Sequence, residues 1–218
     1  MALDFSEFFD RYEKIVADVE TVFEKVSAEH KDCVACGKGC SDCCYAMFDL
    51  TLVEALYLNH HFGKAHKGMG RTTILDRADT ADREAYKFKR QIFKASQEGT
   101  SAQEILAQVA SMRIRCPLLD EKDECALYEH RPITCRLYGI PVASTGITHT
   151  CGLSGFEQGG KYPTVNIDKL HDQLLIISKE IVRAVNSQFT GLHELLVPVS
   201  MAMITDFNED YLGVKREG

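Results

Sequence analysis

The sequence predicts a mainly α protein: a single helical domain over residues 1–218, with two irregular cysteine-rich loops pinned among its helices. Three observations carry that expectation. Apolar residues recur at helical spacing along most of the chain, alternating strand patterns are nearly absent, and the nine cysteines fall in two blocks.

The first element is an amphipathic helix over residues 1–30. Phe5, Phe8, Phe9, Tyr12, Ile15, Val16, Val19, Val22, Phe23 and Val26 form one wide apolar face, with Glu7, Asp10, Lys14, Asp18 and Lys25 opposite. Asp4 followed by Glu7 predicts a capping box at its start. So broad a face packs into a core or pairs with a second copy as a homodimer. The first cysteine block opens the cysteine-cluster region, residues 33–151, which has a helical insert. Thr51 with Glu54 caps a short helix that stops near Gly63, and Gly63 to Gly70 reads as a polar loop.

A longer helix follows from Leu75 to Gln97, with Ala78, Ala81, Ala85, Phe88, Ile92 and Ala95 as its apolar stripe. Arg83, Lys87, Arg90 and Lys94 gather on its other side, as a solvated face or a dock for an acidic partner. Ser101 and Glu104 open one more short helix. Beyond the second cysteine block, Thr164 to Ile167 is the best strand candidate. The C-terminal helices occupy residues 164–210. Leu170, Leu174, Ile177, Ile181 and Val185 mark one; Leu195, Leu196, Val199, Met203 and Ile204 mark the last, broken or restarted at Pro198.

Composition excludes several function classes. A 218-residue chain with 45% hydrophobic and 26% charged residues is ordinary for a globular protein. A net charge of −7 argues against nucleic acid and anionic membranes as partners. The first helix is too acidic for a signal peptide, and no apolar run is long enough to span a bilayer. A cytoplasmic location is expected. In that reducing compartment, clustered cysteines point to metal or catalysis rather than disulfides, and an odd number agrees.

The first block holds Cys33, Cys36, Cys40, Cys43 and Cys44 within twelve residues. Thiolates so close on a turning backbone reach a common metal centre, and Gly37 and Gly39 permit the turns. The second block holds Cys116, Cys125, Cys135 and Cys151. Its wide gaps fit neither the paired knuckles of a zinc ribbon nor the close string of a ferredoxin. Nine cysteines supply two four-thiolate sites with one left over, or one site plus unliganded thiols. Either way both loops read as metal-binding, and the site assembles only on folding.

These residues resemble the YkgJ-type CxxCxxCC cysteine-cluster family, a zinc- or iron-chelating domain. The resemblance rests on Cys36, Cys40, Cys43 and Cys44, then Cys116-Pro117-Leu118-Leu119-Asp120, then Cys125 through Tyr128, Arg131 and Pro132 to Cys135-Arg136. Three residues separate Cys36 from Cys40 where the family usually has two, so Cys33 and Cys36 both compete for the first family position. The resemblance implies iron–sulfur or zinc binding. Flagellin lysine methylases are similar across this domain, but no glycine-rich motif here points to a methyl donor.

Around the thiolates, Arg131 and Arg136 are the candidate cofactor-binding residues, neutralising cluster charge or donating to sulfur. The alternative for Arg131 is an ion pair with Glu129. Pro132 suits the start of a helix that presents Cys135 and Arg136. Tyr128 and Tyr138 read as core aromatics. His130 and His149 are substitute ligands at most, and His60-His61 lacks the pattern of a metalloprotease helix.

The expected cofactor is one or two iron–sulfur clusters of the 4Fe–4S type, because soft thiolates serve such clusters at irregular spacing; zinc is the alternative. The functions that follow are electron transfer with a redox partner protein, a zinc- or iron-chelating module, and by analogy alone a cluster-dependent lysine methyltransferase. No catalytic residue is assigned.

Overall fold

The computed structural model describes residues 3–37, 39–157 and 159–215. Helix α1, Ser6–Glu29, buries Phe9, Tyr12, Val16, Val19 and Val26. These pack against α2 (Leu52–Ala65), α5 (Ile133–Leu137) and α6 (Ile167–Ala184) of the same chain. The broad face is therefore covered within one molecule, with Val22, 40% exposed, at its margin. Its expected capping box does not form. Phe5 is the N-cap, which puts Glu7 one residue out of register, and the Asp4 carboxylate instead accepts the Ser6 amide and hydroxyl at 3.0 and 2.7 Å.

Helix α2 is the central wall. It begins at the expected box, in which the Thr51 hydroxyl caps the helix while Glu54 accepts from the Thr51 amide. Seven apolar residues from Leu52 to Phe62 are buried all round it, so it faces a core on either side. On one side lies the cluster built with α1, α5 and α6. On the other, Leu58 and Phe62 meet α3 (Gly68–Gln97) and α7 (Val199–Ile204).

The predicted loop at Gly63–Gly70 shrinks to His66 and Lys67. An interior glycine costs a helix about 1 kcal/mol. Phe62 is fully buried, and burial of such a ring contributes roughly 2–3 kcal/mol. Packing therefore carries the helix through Gly63, and Arg71 of α3 closes the corner over the Phe62 ring at 4.6 Å.

Helix α3 buries Ile74, Ala78 and Ala81 and then runs outward, where α4 (Ala102–Ser111) folds back on it. Ser101 and Glu104 cap α4 as the sequence predicts. Arg83, Lys87, Arg90 and Lys94 are exposed; Arg83 pairs with Asp79 and Lys94 with Glu98.

Two small sheets tie the loops down. β1 (Asp49–Leu50) runs antiparallel to β5 (Val197–Pro198), joining the end of the first cysteine block to the start of α7. β2 (Val142–Ser144) pairs with β3 (Ile147–His149) through a two-residue turn, Thr145-Gly146, both at positive φ. β4 (Val165–Asn166) lies parallel to β2, where the sequence places its best strand; Asn166 then caps α6 by accepting from the Lys169 amide. The last apolar run restarts at Pro198 as expected. Leu195 and Leu196 stay outside the helix at 48% and 41% exposure, because a 3₁₀ turn, Leu192–Glu194, and β5 interrupt it. A short α8, Glu209–Leu212, was not expected; Asn208 caps it and Gly213, at φ 63°, ends it.

Where α1 meets α2 a polar cluster forms. His61 and His130 stack at 3.6 Å, His60 lies against His61, and the Tyr57 hydroxyl bridges Glu13 at 2.9 Å and His130 Nδ1 at 3.1 Å. Burial, then His130, His60 and Lys64, push His61 down to about 4. His60 and His130 are lowered too, first by burial; Arg136 and Lys64 add to the effect on His130, while Glu13 and Glu129 oppose it. An unfolded chain takes a proton at histidine near pH 6.5, which folded His61 refuses until about 4. Stability from this group is thus complete above about pH 6.5 and is lost as pH falls toward about 4. His61→Asn should flatten the decline of Tm between about pH 7 and about pH 5. An unaltered slope would assign the acid sensitivity elsewhere.

Candidate metal centre

Three chain segments converge between the two cores. The first leaves α1 through a turn in which the Cys33 amide donates to the His30 carbonyl at 2.9 Å. The Cys33 carbonyl then accepts from the Gly155 amide at 2.8 Å, which ties this segment to the loop after Cys151. A Cβ on Gly155 would sit 3.1 Å from the Asp32 carbonyl and 3.2 Å from the Cys33 Cα, so only glycine permits the approach without a shift. A 3₁₀ turn, Asp42–Tyr45, carries Cys43 and Cys44.

The second segment lies alongside that turn. The Cys116 amide donates to the Cys44 carbonyl at 2.6 Å, and the Ile114 amide to the Tyr45 carbonyl at 3.2 Å. Cys125 pairs with Leu119 across a tight reversal. There the Asp120 carboxylate accepts the Lys122 and Glu124 amides at 2.8 and 2.9 Å, and Asp123 adopts φ 58°.

The third segment is α5, which starts at Pro132 as its N-cap and presents Cys135. Buried Glu54 pins it: one carboxylate oxygen accepts the Ile133 amide at 3.2 Å, and the other accepts the Thr51 amide and hydroxyl at 3.1 and 2.9 Å.

All nine cysteines are free thiols and half-buried. Seven of them, Cys36, Cys40, Cys43, Cys44, Cys116, Cys125 and Cys135, line one cavity of about 550 Å³ whose remaining wall is largely apolar. Cys43 and Cys44 hold their sulfurs 4.0 Å apart. Cys151 stands just outside, its sulfur 3.5 Å from Asp42 Oδ2 and accepting from the Leu153 amide at 3.4 Å. Cys33 packs against the first core and does not reach the cavity. Among the described residues no three His, Cys, Asp or Glu side chains close on a single point as an ion cage; the thiols surround a chamber.

The electrostatics of this chamber disfavour thiolates until a cation arrives. Burial pushes Cys36 and Cys116 up to about 12 and raises Cys125, Cys135 and Cys151. Cys43 differs. The hydrogen bond with Cys44 holds it down at about 7, Arg131 helps, and Cys44 is raised in consequence. Bound metal reverses this preference by drawing protons off its ligands.

Arg131 stacks over the Tyr128 ring at 3.9 Å, and its charge favours the thiolates of Cys43 and Cys125. It does not pair with Glu129; its guanidinium donates to the Tyr128 carbonyl at 3.1 Å. Arg136 also borders the cavity, yet its nitrogens go elsewhere: to the Arg131 carbonyl at 2.8 Å, the Glu129 carbonyl at 2.5 Å, and Glu20 of α1. It fastens the turn before α5 to the first helix.

Tyr128 is 57% exposed rather than a core aromatic, because it serves as the platform for Arg131. Burial, and next the nearby charge of Asp42, raise the Tyr138 hydroxyl, while Arg113 donates to Asp42 at 2.5 Å. His130 faces Tyr57, and His149 is exposed on β3; neither lines the cavity.

Gly139 is a site residue that the sequence did not single out. The Cys36 thiol donates to the Tyr138 carbonyl at 3.0 Å, and its sulfur lies 2.2 Å from where a Cβ on Gly139 would stand. Gly139 also sits at φ 115°, which side chains resist. The only cue was its place after Cys135-Arg136-Leu137-Tyr138. Gly139→Ala should displace the Cys36 sulfur and lower metal content, at a strain cost of about 1–3 kcal/mol. Metal analysis and a thermal melt check this; full metal with an unchanged Tm would put Cys36 outside the centre.

Fold and cavity together define a class: a helical domain that gathers cysteines from distant segments around a thiol-lined chamber. The donors are soft, and the glycine cradle beneath Cys36 keeps a sulfur where a side chain would displace it, so the residues suit a thiophilic metal. Residues 32–152, more than half of the chain, match the CxxCxxCC family, described as a "putative zinc- or iron-chelating domain", and the chain belongs to that family. No curated protein and no solved structure matches it. Among the described residues no helix is long and apolar enough to cross a membrane.

Proposed function

We propose that this chain is an iron–sulfur protein, with one or two clusters of the 4Fe–4S type on its cysteine thiolates, that passes electrons to a redox partner or serves a redox enzyme. The observation that carries this reading is the chamber itself: seven free thiols around about 550 Å³. A single tetrahedral zinc ion takes four ligands, so the chamber offers more soft donors than one such ion uses. When bound, a cluster supplies one-electron exchange. The chain's own residues do the rest. Arg131 offsets thiolate charge, and the apolar wall of Phe23, Phe48, Ile114 and Leu119 limits water, both of which tune the potential.

The exposed stripe of Arg83, Lys87, Arg90 and Lys94 suits an acidic partner, and the free thiols suit a reducing cytoplasm. The family's description also favours a second reading, a zinc-chelating module. One preparation separates the two. Protein purified without oxygen should be brown, contain iron and acid-labile sulfide, and give a paramagnetic resonance signal on reduction. A colourless protein with stoichiometric zinc would overturn the iron–sulfur reading and leave the zinc one.

A further inference from the structure

We infer that the outer half of α3 and α4 together form a self-association surface, on which a second copy of this chain docks as a two-fold dimer. The inference stands on packing and charge and does not depend on what the thiols hold.

The starting observation is an apolar helix face without a cover. Helix α3 buries Ile74, Ala78 and Ala81, where α7 packs on it, but none of residues 82–97 is buried. Its apolar stripe nevertheless continues through Ala85, Phe88 and Ile92. Helix α4 folds back alongside and buries none of its own described side chains. Between the two helices runs a groove of about 510 Å³ lined by Phe48, Phe88, Ile92, Phe93, Ile105 and Val109. Phe93 is 67% exposed, and Tyr86 of α3 and Leu106 of α4 are exposed as well.

The area is large enough for a dimer. An aromatic side chain offers roughly 150–250 Å², so these exposed and half-buried groups leave about 500 Å² of apolar surface on one arm. Contiguous patches of that size are uncommon on monomers and mark interaction sites. Two such arms pressed together take about 1,000 Å² from water, the scale at which a specific interface begins.

Charge selects the occupant. Among the residues that line the groove only Asp49 and Lys89 are charged, and they pair with each other at 3.3 Å. The groove therefore has no free charge with which to choose an acidic or a basic partner. It fits an uncharged apolar helix face, and the same hairpin supplies one. Two α3–α4 hairpins set face to face make a four-helix layer, each Phe93 entering the groove of the other copy. Arg83, Lys87, Arg90 and Lys94 turn away from the groove at about 100° per residue. On the outer faces of a dimer the two basic stripes stand roughly 20 Å apart or more, beyond a screening length of about 8 Å. They neither oppose the contact nor are covered by it. The wide face of α1 offers no such site, because it is filled within the molecule.

The contact also reaches the thiol chamber. Met47, Phe48, Asp49 and Lys89 line both cavities, so a docked copy covers the chamber edge beside α3 and excludes water there.

The test is sedimentation of the full chain from low micromolar to submillimolar concentration, without oxygen and with a thiol reductant so that no intermolecular disulfide contributes. The parent should reach twice the 24.4 kDa monomer mass. Phe93→Asp places a charge at an exposed position and counts twice in an isologous contact, so the dissociation constant should rise at least about 100-fold. Ile105→Asp repeats this from α4, and circular dichroism checks that both variants fold. Lys87→Glu, on the far side of α3, should leave the dimer intact. A parent that stays monomeric throughout, or a dimer that survives both aspartates or is lost on Lys87→Glu, would overturn the inference. Metal content of the same samples reports separately on the chamber: an intact dimer without metal would count against the proposed function alone.

Discussion

Cys135→Ser should leave an anaerobic preparation with markedly less metal than the parent and a Tm lower by several degrees. Cys135 is half-buried on a five-residue helix too short to persist alone, and it lines the same cavity as cysteines of both blocks. A metal bridging those segments therefore contributes folding free energy, and a serine hydroxyl is a poor substitute for a soft thiolate. In a chain of this size each kcal/mol is worth roughly 2–4 °C in Tm. A control separates metal from packing. If the deficit comes from lost metal, it shrinks when both proteins are stripped with a chelator. A deficit that persists unchanged in the stripped pair would mean that the sulfur matters only for packing.

Glu54→Ala should destabilise the fold by about 2–4 kcal/mol, whether or not metal is bound. The carboxylate is buried, and burial raises it toward the neutral form even though three donors converge on it. Alanine strands those donors: the Thr51 amide and hydroxyl at the start of α2, and the Ile133 amide at the start of α5. Both helices lose an N-terminal partner in one substitution, and Cys135 loses its mooring. Calorimetry should record a Tm drop on the order of 5–15 °C. Glu54→Gln keeps the shape and one acceptor oxygen, so it should recover much of the loss. An alanine variant melting within about a degree of the parent would show that water satisfies these groups equally well.

Much of the helical order was legible beforehand, for local reasons. The apolar face of α1, the capping residues of α2 and α4, and the restart at Pro198 are patterns within a turn or two of chain. The misreadings have one cause. Gly63 looked like a helix end until Phe62 found a pocket, and Leu195 and Leu196 looked helical until β5 claimed the backbone beside them. In each case a partner far along the chain outweighed a local preference of about 1 kcal/mol.

The candidate site divides the same way. Nine cysteines in two blocks, the first of them tight, announce soft-metal chemistry from composition and spacing alone, because thiolate affinity belongs to the residue and needs no fold to be recognised. Grouping is another matter. Cys36 sits over Gly139, Cys151 lies against Asp42, Cys44 lies along Cys116, Arg136 turns to Glu20, and Cys33 is left on the core; each arises from burial and hydrogen bonding between segments scores of residues apart. Such contacts exist only in the folded chain, where α2 packs against α1, α6 and α7, since they must offset the chain entropy lost in bringing distant segments together.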